Sequence, residues 1–350
     1  MAEKDAYSVL MERHGYTNSE RYRRILEHLV TPQQAKIAVE LPAPPEELAQ
    51  KLNMDVQTVN SELDELYAKG VIFPRNFETK EGYRFARMVL QLHDASQSSL
   101  KTDPVKERRL YELWEDFCHS EWYPDMAKGI NALEVPPTRV IPSYRAIKDI
   151  PGLMPCEDMR EILKAAQLIA VCACSCRKRA TAVGNPCEKS EWENCIQFNR
   201  GAEYVISRGS GRKLSYDEAL DIIDSTEEHG LVHTWANSTT MPINTLCNCC
   251  RDCCVLWVPL DENNVHISKR WEKSRFEVRL DLDLCNGCQD CVERCQFDAI
   301  EMVKPEGSKK YKAAVDLEKC WGCGVCVVGC ALGALRLELV RPPEHIPAAT

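Results

Sequence analysis

The sequence lacks the features that would place this chain in a membrane or on nucleic acid. No apolar run approaches the ~20 residues that a membrane-spanning helix needs, so we expect no membrane insertion. The net charge of −9 argues against general nucleic-acid affinity, because phosphate binding needs an excess of Lys and Arg. The first residues, Met1 to Lys4, carry no signal-peptide pattern, and we expect a cytoplasmic location.

Two nucleotide-binding fingerprints are also missing. No GxGxxG motif follows a predicted strand, so a flavin or nicotinamide site has no support. The run from Arg208 to Arg212 lacks the full P-loop pattern, and we predict a turn there. A helix should follow this turn, because Ser215 and Glu218 form a capping-box pattern and Gly230 is placed to end the helix.

Cysteine is abundant, with 20 among 350 residues. A small secreted protein with that content would be a disulfide framework. This chain is long, however, and its cysteines cluster at spacings typical of metal sites. We therefore interpret most of the thiols as metal or cluster ligands in a reducing cytoplasm.

The last part of the sequence contains one iron–sulfur motif twice. The copies are Cys285-x2-Cys288-x2-Cys291-x3-Cys295 and Cys320-x2-Cys323-x2-Cys326-x3-Cys330. This pattern resembles the bacterial-type dicluster ferredoxins, in which the fourth Cys of each run binds the other of two [4Fe–4S] clusters. The resemblance covers about 274–339. It implies a ferredoxin-like domain with two [4Fe–4S] clusters.

The resemblance also implies a ligand set for each cluster. One would be bound by Cys285, Cys288, Cys291 and Cys330, and the other by Cys320, Cys323, Cys326 and Cys295. Structural zinc is disfavoured here, because zinc sites usually come as paired CxxC arms. The family's Pro after the fourth Cys is replaced by Gln296 and Ala331. Since that Pro is no ligand, the difference does not affect the assignment.

Ten more cysteines lie in the middle of the chain, and no single ferredoxin motif covers them. They are Cys172, Cys174, Cys176, Cys187 and Cys195, followed by Cys247, Cys249, Cys250, Cys253 and Cys254. Over about 165–345 the arrangement resembles the Cys-rich module beside dicluster ferredoxin domains in anaerobic redox proteins. We expect the two groups to meet and to hold one or two additional [4Fe–4S] clusters. Zinc is the alternative, on the CxxC arm formed by Cys250 and Cys253, although the adjacent cysteine pairs supply more sulfur than one zinc uses.

Several residues near these cysteines have two interpretations. The run Arg177-Lys178-Arg179 would either stabilise thiolates or form a solvated basic turn. Weaker ligand candidates are Ser175, Asn248 and His233, and we interpret Cys118 and Cys156 as buried thiols.

The N-terminal part is predicted to be mostly helical. Tyr22, Ile25, Leu26 and Leu29 recur at helical spacing, and so do Leu110, Leu113, Trp114 and Phe117. Residues 36–85 resemble a winged helix–turn–helix. The second helix of this segment carries Asp55, Glu62, Asp64 and Glu65 against Lys69 alone, so we expect it to bind a protein and not DNA.

Together these features predict a multidomain α+β protein. The expected domains are a helical region at 1–150, a Cys-rich metal-cluster domain at 151–270 and a ferredoxin domain at 271–345. We expect an electron-transfer component of an anaerobic oxidoreductase system, in a hetero-oligomer with a flavo- or metalloenzyme as redox partner. The alternatives are an enzyme with a substrate-binding open cluster in the middle domain, or a redox-sensing transcriptional regulator.

Overall fold

The computed structural model describes residues 4–189, 192–241, 244–306 and 310–348. The chain forms two compact units. Unit 1 contains 1–122, 172–186 and 202–212, and unit 2 contains 123–171, 187–201 and 213–350. The predicted ranges 1–150, 151–270 and 271–345 do not coincide with these units, and independent folding of those ranges stays a prediction.

Helices and sheets are both present, as the α+β class requires. In chain order the helices are α1 Ala6–Arg13, α2 Glu20–Leu29, α3 Pro32–Glu40, α4 Pro45–Leu52, α5 Val56–Ala68, α6 Val89–Gln97, α7 Arg108–Phe117, α8 Tyr123–Asn131, α9 Tyr144–Ile147, α10 Met159–Ala165, α11 Ser175–Ala182, α12 Arg200–Ser207, α13 Tyr216–Glu228, α14 Val258–Glu262, α15 Asp290–Arg294 and α16 Val325–Val328. The strands are β1 Ile72–Phe73, β2 Arg84–Phe85, β3 Thr138–Ile141, β4 Ile169–Ala173, β5 Glu193–Phe198, β6 Gly211–Leu214, β7 Val232–Ala236, β8 Thr245–Cys249, β9 Trp271–Glu272, β10 Phe276–Leu280, β11 Ile300–Val303, β12 Lys312–Val315 and β13 Leu335–Leu339. No described helix is long and apolar enough to cross a membrane.

Unit 1 is mostly helical, and its core matches the predicted apolar stripes. The side chains of Tyr22, Ile25, Leu26 and Leu29 on α2 are buried, and so are those of Leu110, Leu113, Trp114 and Phe117 on α7. Helices α4 and α5 follow each other across a turn at Asn53, which adopts a left-handed conformation. A two-stranded antiparallel ribbon of β1 and β2 comes next, with Ile72 opposite Phe85. This element order is that of the expected winged-helix-like segment, whose family stays a prediction.

Unit 2 contains most of a seven-stranded sheet with the order β6-β4-β5-β8-β7-β3-β9. In its centre β5, β8, β7 and β3 pair antiparallel, and β9 joins β3 in parallel. Side chains of successive residues point to opposite faces of a strand. One face carries Ile196, Leu246 and Trp235 into a core with α10 and α13. The other face carries Val140, Val232 and Cys249 into a second core.

The C-terminal part of unit 2 adds two small antiparallel sheets. Strand β10 pairs with β13, and β11 pairs with β12. Short helices α15 and α16 each lie within one of the repeated cysteine motifs. The side chains of Phe276, Ile300 and Leu335 form the core between these elements and the motif cysteines.

Candidate metal centres

The first ferredoxin-type group combines cysteines from both motifs. Burial, and then the charges of Cys288 and Cys285, raise the pKa of Cys291 to about 11, with a further contribution from Cys330. These electrostatic interactions require the four thiols to be neighbours, although Cys330 comes from the second motif. Cys288 is exposed and the other three are half-buried, so this group lies at the surface.

The second group lies deeper. Its four thiols line one cavity, together with Gly322, Gly324 and apolar side chains; they are Cys295, Cys320, Cys323 and Cys326. Burial and the neighbouring thiols raise the pKa of Cys326 well above its usual value, and Cys291 of the first group contributes to that shift. The two groups are therefore adjacent, each with three thiols from one motif and one from the other.

Glycines let the chain fold closely around these thiols. Gly287 has φ +80°, and a Cβ there would lie 2.3 Å from the Tyr311 carbonyl oxygen. At Gly322, φ is +65° and a Cβ would lie 2.2 Å from the Phe276 carbonyl oxygen. No L side chain fits at either position without moving backbone. The amide of Ala299 donates to the Cys295 Sγ at 3.3 Å, as cluster-binding loops require. The donor set, the cavity and the loops fit two [4Fe–4S] clusters.

The residue after Cys295 has a specific contact that the sequence did not indicate. Gln296 is buried, accepts a hydrogen bond from the Arg251 amide at 3.1 Å and donates one to the Gly230 carbonyl at 3.2 Å. In place of the family's Pro, this side chain connects the first motif to the turn that carries Cys250 and Cys253.

The run from Cys247 to Cys254 divides its thiols between two groups. The Sγ atoms of Cys249 and Cys254 lie 3.3 Å apart, and hydrogen bonds with Cys247 and Cys254, together with burial, raise the pKa of Cys249. Cys250 and Cys253 instead approach each other to 3.2 Å. The adjacent pairs therefore do not crowd one site, because neighbouring residues point in opposite directions.

The group of Cys247, Cys249 and Cys254 has a fourth thiol nearby. Strand β5 pairs with β8 so that Ile196 is opposite Leu246, and the same register places Cys195 opposite Cys247. Directly opposed residues share a face of the sheet. Arg270 also brings a positive charge to this group. Burial lowers the pKa of Arg270, and the nearby thiols of Cys247, Cys254 and Cys249 oppose that shift. Among the described residues, the Arg270 Nε has no hydrogen-bond partner, which suits a site that receives an anionic group.

The second middle group comprises Cys187, Cys250, Cys253 and Asp252. One ligand atom from each lies within 4.8 Å of the others. The Cys187 and Cys250 Sγ atoms are 3.5 Å apart. Cys250 and Cys253 are buried, Cys187 is half-buried and Asp252 is exposed. The sequence identified the CxxC arm, and the structure adds Cys187 and the carboxylate.

Cys172, Cys174 and Cys176 belong to unit 1, at the end of the buried strand β4 and the start of α11. A hydrogen bond with Cys176, and then burial, raise the pKa of Cys174 well above its usual value, and the charge of Arg177 opposes this shift. The run Arg177-Lys178-Arg179 is buried, so the alternative of a solvated basic turn is wrong. Arg179 donates to the Cys118 Sγ at 2.9 Å, whereas Lys178 donates to backbone carbonyls.

The weaker ligand candidates have protein partners. His233 contacts the Asn248 Oδ1 at 2.6 Å and the Glu227 Oε1 at 3.3 Å, so both ring nitrogens are engaged. Asn248 donates to the Asn194 carbonyl, and Ser175 donates to Asp94. Cys156 is buried, as expected. These contacts favour structural roles for His233, Asn248 and Ser175.

A series of aromatic rings shares a buried cluster with thiols of the middle region and of the second ferredoxin-type group. The ring centroids of Trp271 and Trp257 are 4.6 Å apart, those of Trp257 and Phe297 are 5.0 Å apart, and those of Phe297 and Trp321 are 5.7 Å apart. These rings share one buried cluster with Cys249, Cys254 and Cys323. The aromatic residues come from four separate segments, so no local pattern could have indicated this arrangement.

Comparison with known proteins identifies one part of the chain. Residues 284–334 match the family model of the 4Fe-4S dicluster domain. This stretch is similar to iron–sulfur dicluster domains. It contains both cysteine motifs. Comparisons of the chain with curated proteins and with solved structures give no significant match.

Proposed function

We propose that this chain relays low-potential electrons between a partner oxidoreductase and a further iron–sulfur centre in its middle region. One observation carries the proposal. Cys249 and Cys254 of the middle region and Cys323 of the second ferredoxin-type group belong to the same buried cluster, which also contains four aromatic rings. Bound [4Fe–4S] clusters supply one-electron chemistry. The chain would hold such centres close together and away from water.

The further centre is proposed to be a [4Fe–4S] cluster bound by Cys195, Cys247, Cys249 and Cys254. Arg270 faces three of these thiols and would offset the negative charge of four thiolates. Cys249 and Cys254 are buried, which would keep solvent from the iron. One or two additional clusters were expected, and this assignment accounts for one of them. Cys172, Cys174 and Cys176 of unit 1 are candidate ligands for a second.

Exposure of the thiols suggests where electrons enter or leave. The first ferredoxin-type group is at the surface, whereas Cys320, Cys323 and Cys326 are buried. Near Cys288 the surface includes exposed apolar side chains among polar ones: Leu282 and Leu284 are each 50% exposed and Tyr311 is 58% exposed. Exposed apolar patches mark interaction sites. We place the redox partner on this surface, which leads to the second group and then to the aromatic rings.

The segment 36–85 is proposed to bind a protein, not DNA. On α5, Asp64 and Glu65 pair with Lys80 and Lys69 at the surface, and Glu62 accepts from Gln34. This helix would still bring carboxylates toward phosphates. Gel-shift assays with duplex DNA should show no salt-sensitive, sub-micromolar binding. Such binding would favour the redox-sensing regulator instead.

Anaerobic iron and sulfide analysis with EPR of the reduced full-length protein tests the relay. The wild type should contain about twelve iron atoms or more, and its EPR spectrum should show magnetic coupling between the middle and dicluster centres. Cys254→Ala should lower the iron content by about four and leave only the coupling within the dicluster domain. The control Cys156→Ala, at a buried thiol outside the groups, should keep all the iron. About eight iron atoms in the wild type, or a magnetically isolated middle centre, would contradict the relay.

A further inference from the structure

We infer that Cys187, Cys250, Cys253 and Asp252 bind a single zinc ion, separate from the iron–sulfur centres. Their three sulfur atoms and one carboxylate oxygen lie within 4.8 Å of one another. Zinc takes four ligands of these types in a tetrahedron. The inference does not depend on the electron-transfer proposal, because zinc has no redox chemistry.

The distances and the donor types fit one zinc ion. Tetrahedral zinc with bonds of about 2.3 Å places its sulfur ligands about 3.8 Å apart. The Sγ separations in the structure are 3.5 Å for Cys187 and Cys250 and 3.2 Å for Cys250 and Cys253, so a small outward movement would fit zinc. The donor set favours one ion over a cluster, because a [4Fe–4S] cubane held fully by the protein takes four thiolates, whereas the fourth donor here is a carboxylate. This group also has only three thiols.

The local structure holds the turn that carries three of these ligands. The Arg251 amide donates to the Gln296 Oε1 at 3.1 Å, and the Arg251 Nε donates to Asp261 at 2.7 Å. The Arg251 side chain is thereby directed away from the thiols. Cys250 and Cys253 are left to point together, with the Asp252 carboxylate beside them. Cys187 comes from a distant loop and closes the site.

Such a zinc would position the neighbouring cluster ligands. Cys249 directly precedes Cys250, and Cys254 directly follows Cys253. An ion held by Cys250 and Cys253 would therefore also restrain the backbone at Cys249 and Cys254. Cys187 would then join this turn to the strand that carries Cys195. The zinc would therefore act as a structural brace for the proposed middle cluster.

Metal analysis of the full-length protein, purified anaerobically without an affinity tag, tests the inference. The wild type should contain about one zinc per chain, and X-ray absorption at the zinc edge should show three sulfur neighbours and one oxygen neighbour. Cys187→Ser should reduce retained zinc at least tenfold while keeping most of the iron. Asp252→Asn should lose zinc to a chelator faster than the wild type. Cys156→Ser, at a thiol outside the group, should match the wild type.

Three results would overturn the inference. One is wild-type protein without zinc, or with zinc in a nitrogen-rich shell. Another is a Cys187→Ser protein that loses about four iron atoms while its zinc is unchanged, which would assign these thiols to a cluster. The third is a Cys250–Cys253 disulfide in anaerobically prepared protein. If Cys187→Ser does not fold, the wild-type absorption spectrum still decides between these results.

Discussion

The Sγ atoms of Cys249 and Cys254 lie 3.3 Å apart on one side of the chain, while their neighbours Cys250 and Cys253 meet on the other side. This alternation separates a short, dense cysteine run into two groups. One group faces Arg270 and the aromatic rings, and the other faces Cys187 and Asp252. Eight consecutive residues therefore contribute thiols to two separate groups.

The exposed Cys288 offers the simplest test of the dicluster assignment. Cys288→Ala should remove the first cluster, lowering the iron content by about four, because three thiolates do not hold a cubane as firmly as four. The second cluster should also become less stable, since Cys330 links the second motif to the first group. Iron, sulfide and EPR of anaerobic protein measure both effects, with Cys156→Ala as the control. Unchanged iron in Cys288→Ala would contradict the ligand set.

A Cys195 variant distinguishes an electron relay from an enzyme with a substrate-binding open cluster. If it is the fourth ligand of the middle cluster, Cys195→Ser should lower the iron content by up to about four and change the EPR signal of that centre. The expected cause is loss of the thiolate opposite Cys247. Gln197 donates to the Cys195 Sγ at 3.1 Å in the structure. Iron and EPR identical to those of the wild type would show an open iron and favour the substrate-binding alternative.

Gly322 and Gly333 form a matched pair for testing the loop geometry. Both have positive φ, +65° and +62°, but a Cβ at Gly322 would lie 2.2 Å from the Phe276 carbonyl oxygen, whereas a Cβ at Gly333 would meet no atom within 4 Å among the described residues beyond its chain neighbours. Gly333→Ala should cost about 1 kcal/mol through backbone strain alone. Gly322→Ala should cost more and should weaken retention of the second cluster. Thermal unfolding and iron loss under chelation measure the difference, and equal effects would exclude steric crowding as the cause.

Lys178 should make the stability of unit 1 depend on pH. Burial lowers its pKa to about 8, although Glu107 and Asp103 oppose the shift. Because the folded-state pKa lies below the unfolded-state pKa, the unfolded chain binds more protons than the folded protein at pH values between these two. At pH values below 8 the buried Lys178 amine is charged, and the full free-energy penalty of burying that charge lowers the stability of the folded state. This penalty decreases as the pH increases above 8, so the folded state becomes more stable.

Lys178→Met tests this sign. The variant loses donors to the Ser99 and Thr102 carbonyls and should be less stable than the wild type. The deficit should be larger at pH 9 than at pH 7, by about 1 kcal/mol. Denaturant unfolding followed by tryptophan fluorescence provides the comparison, with the exposed Lys101→Met as a control near wild-type stability. A deficit that is the same at both pH values would contradict the shifted pKa.

The sequence alone determined the dicluster domain, the apolar faces of α2 and α7, and the helix that begins after Ser215. Each depends on residues close together in the chain: a cysteine spacing, a helical repeat or a capping box, which Ser215 and Glu218 form as predicted. Local spacing fixes which side chains share a loop or a helix face. It therefore carries enough information for these elements.

Only the tertiary structure decided how the middle cysteines divide. Cys187 meets Cys250 across 63 residues, and strand register places Cys195 opposite Cys247. Trp257, Trp271, Phe297 and Trp321 likewise become neighbours through packing of separate segments. Such contacts depend on sheet pairing and core packing between distant residues. Local sequence patterns therefore do not predict these contacts.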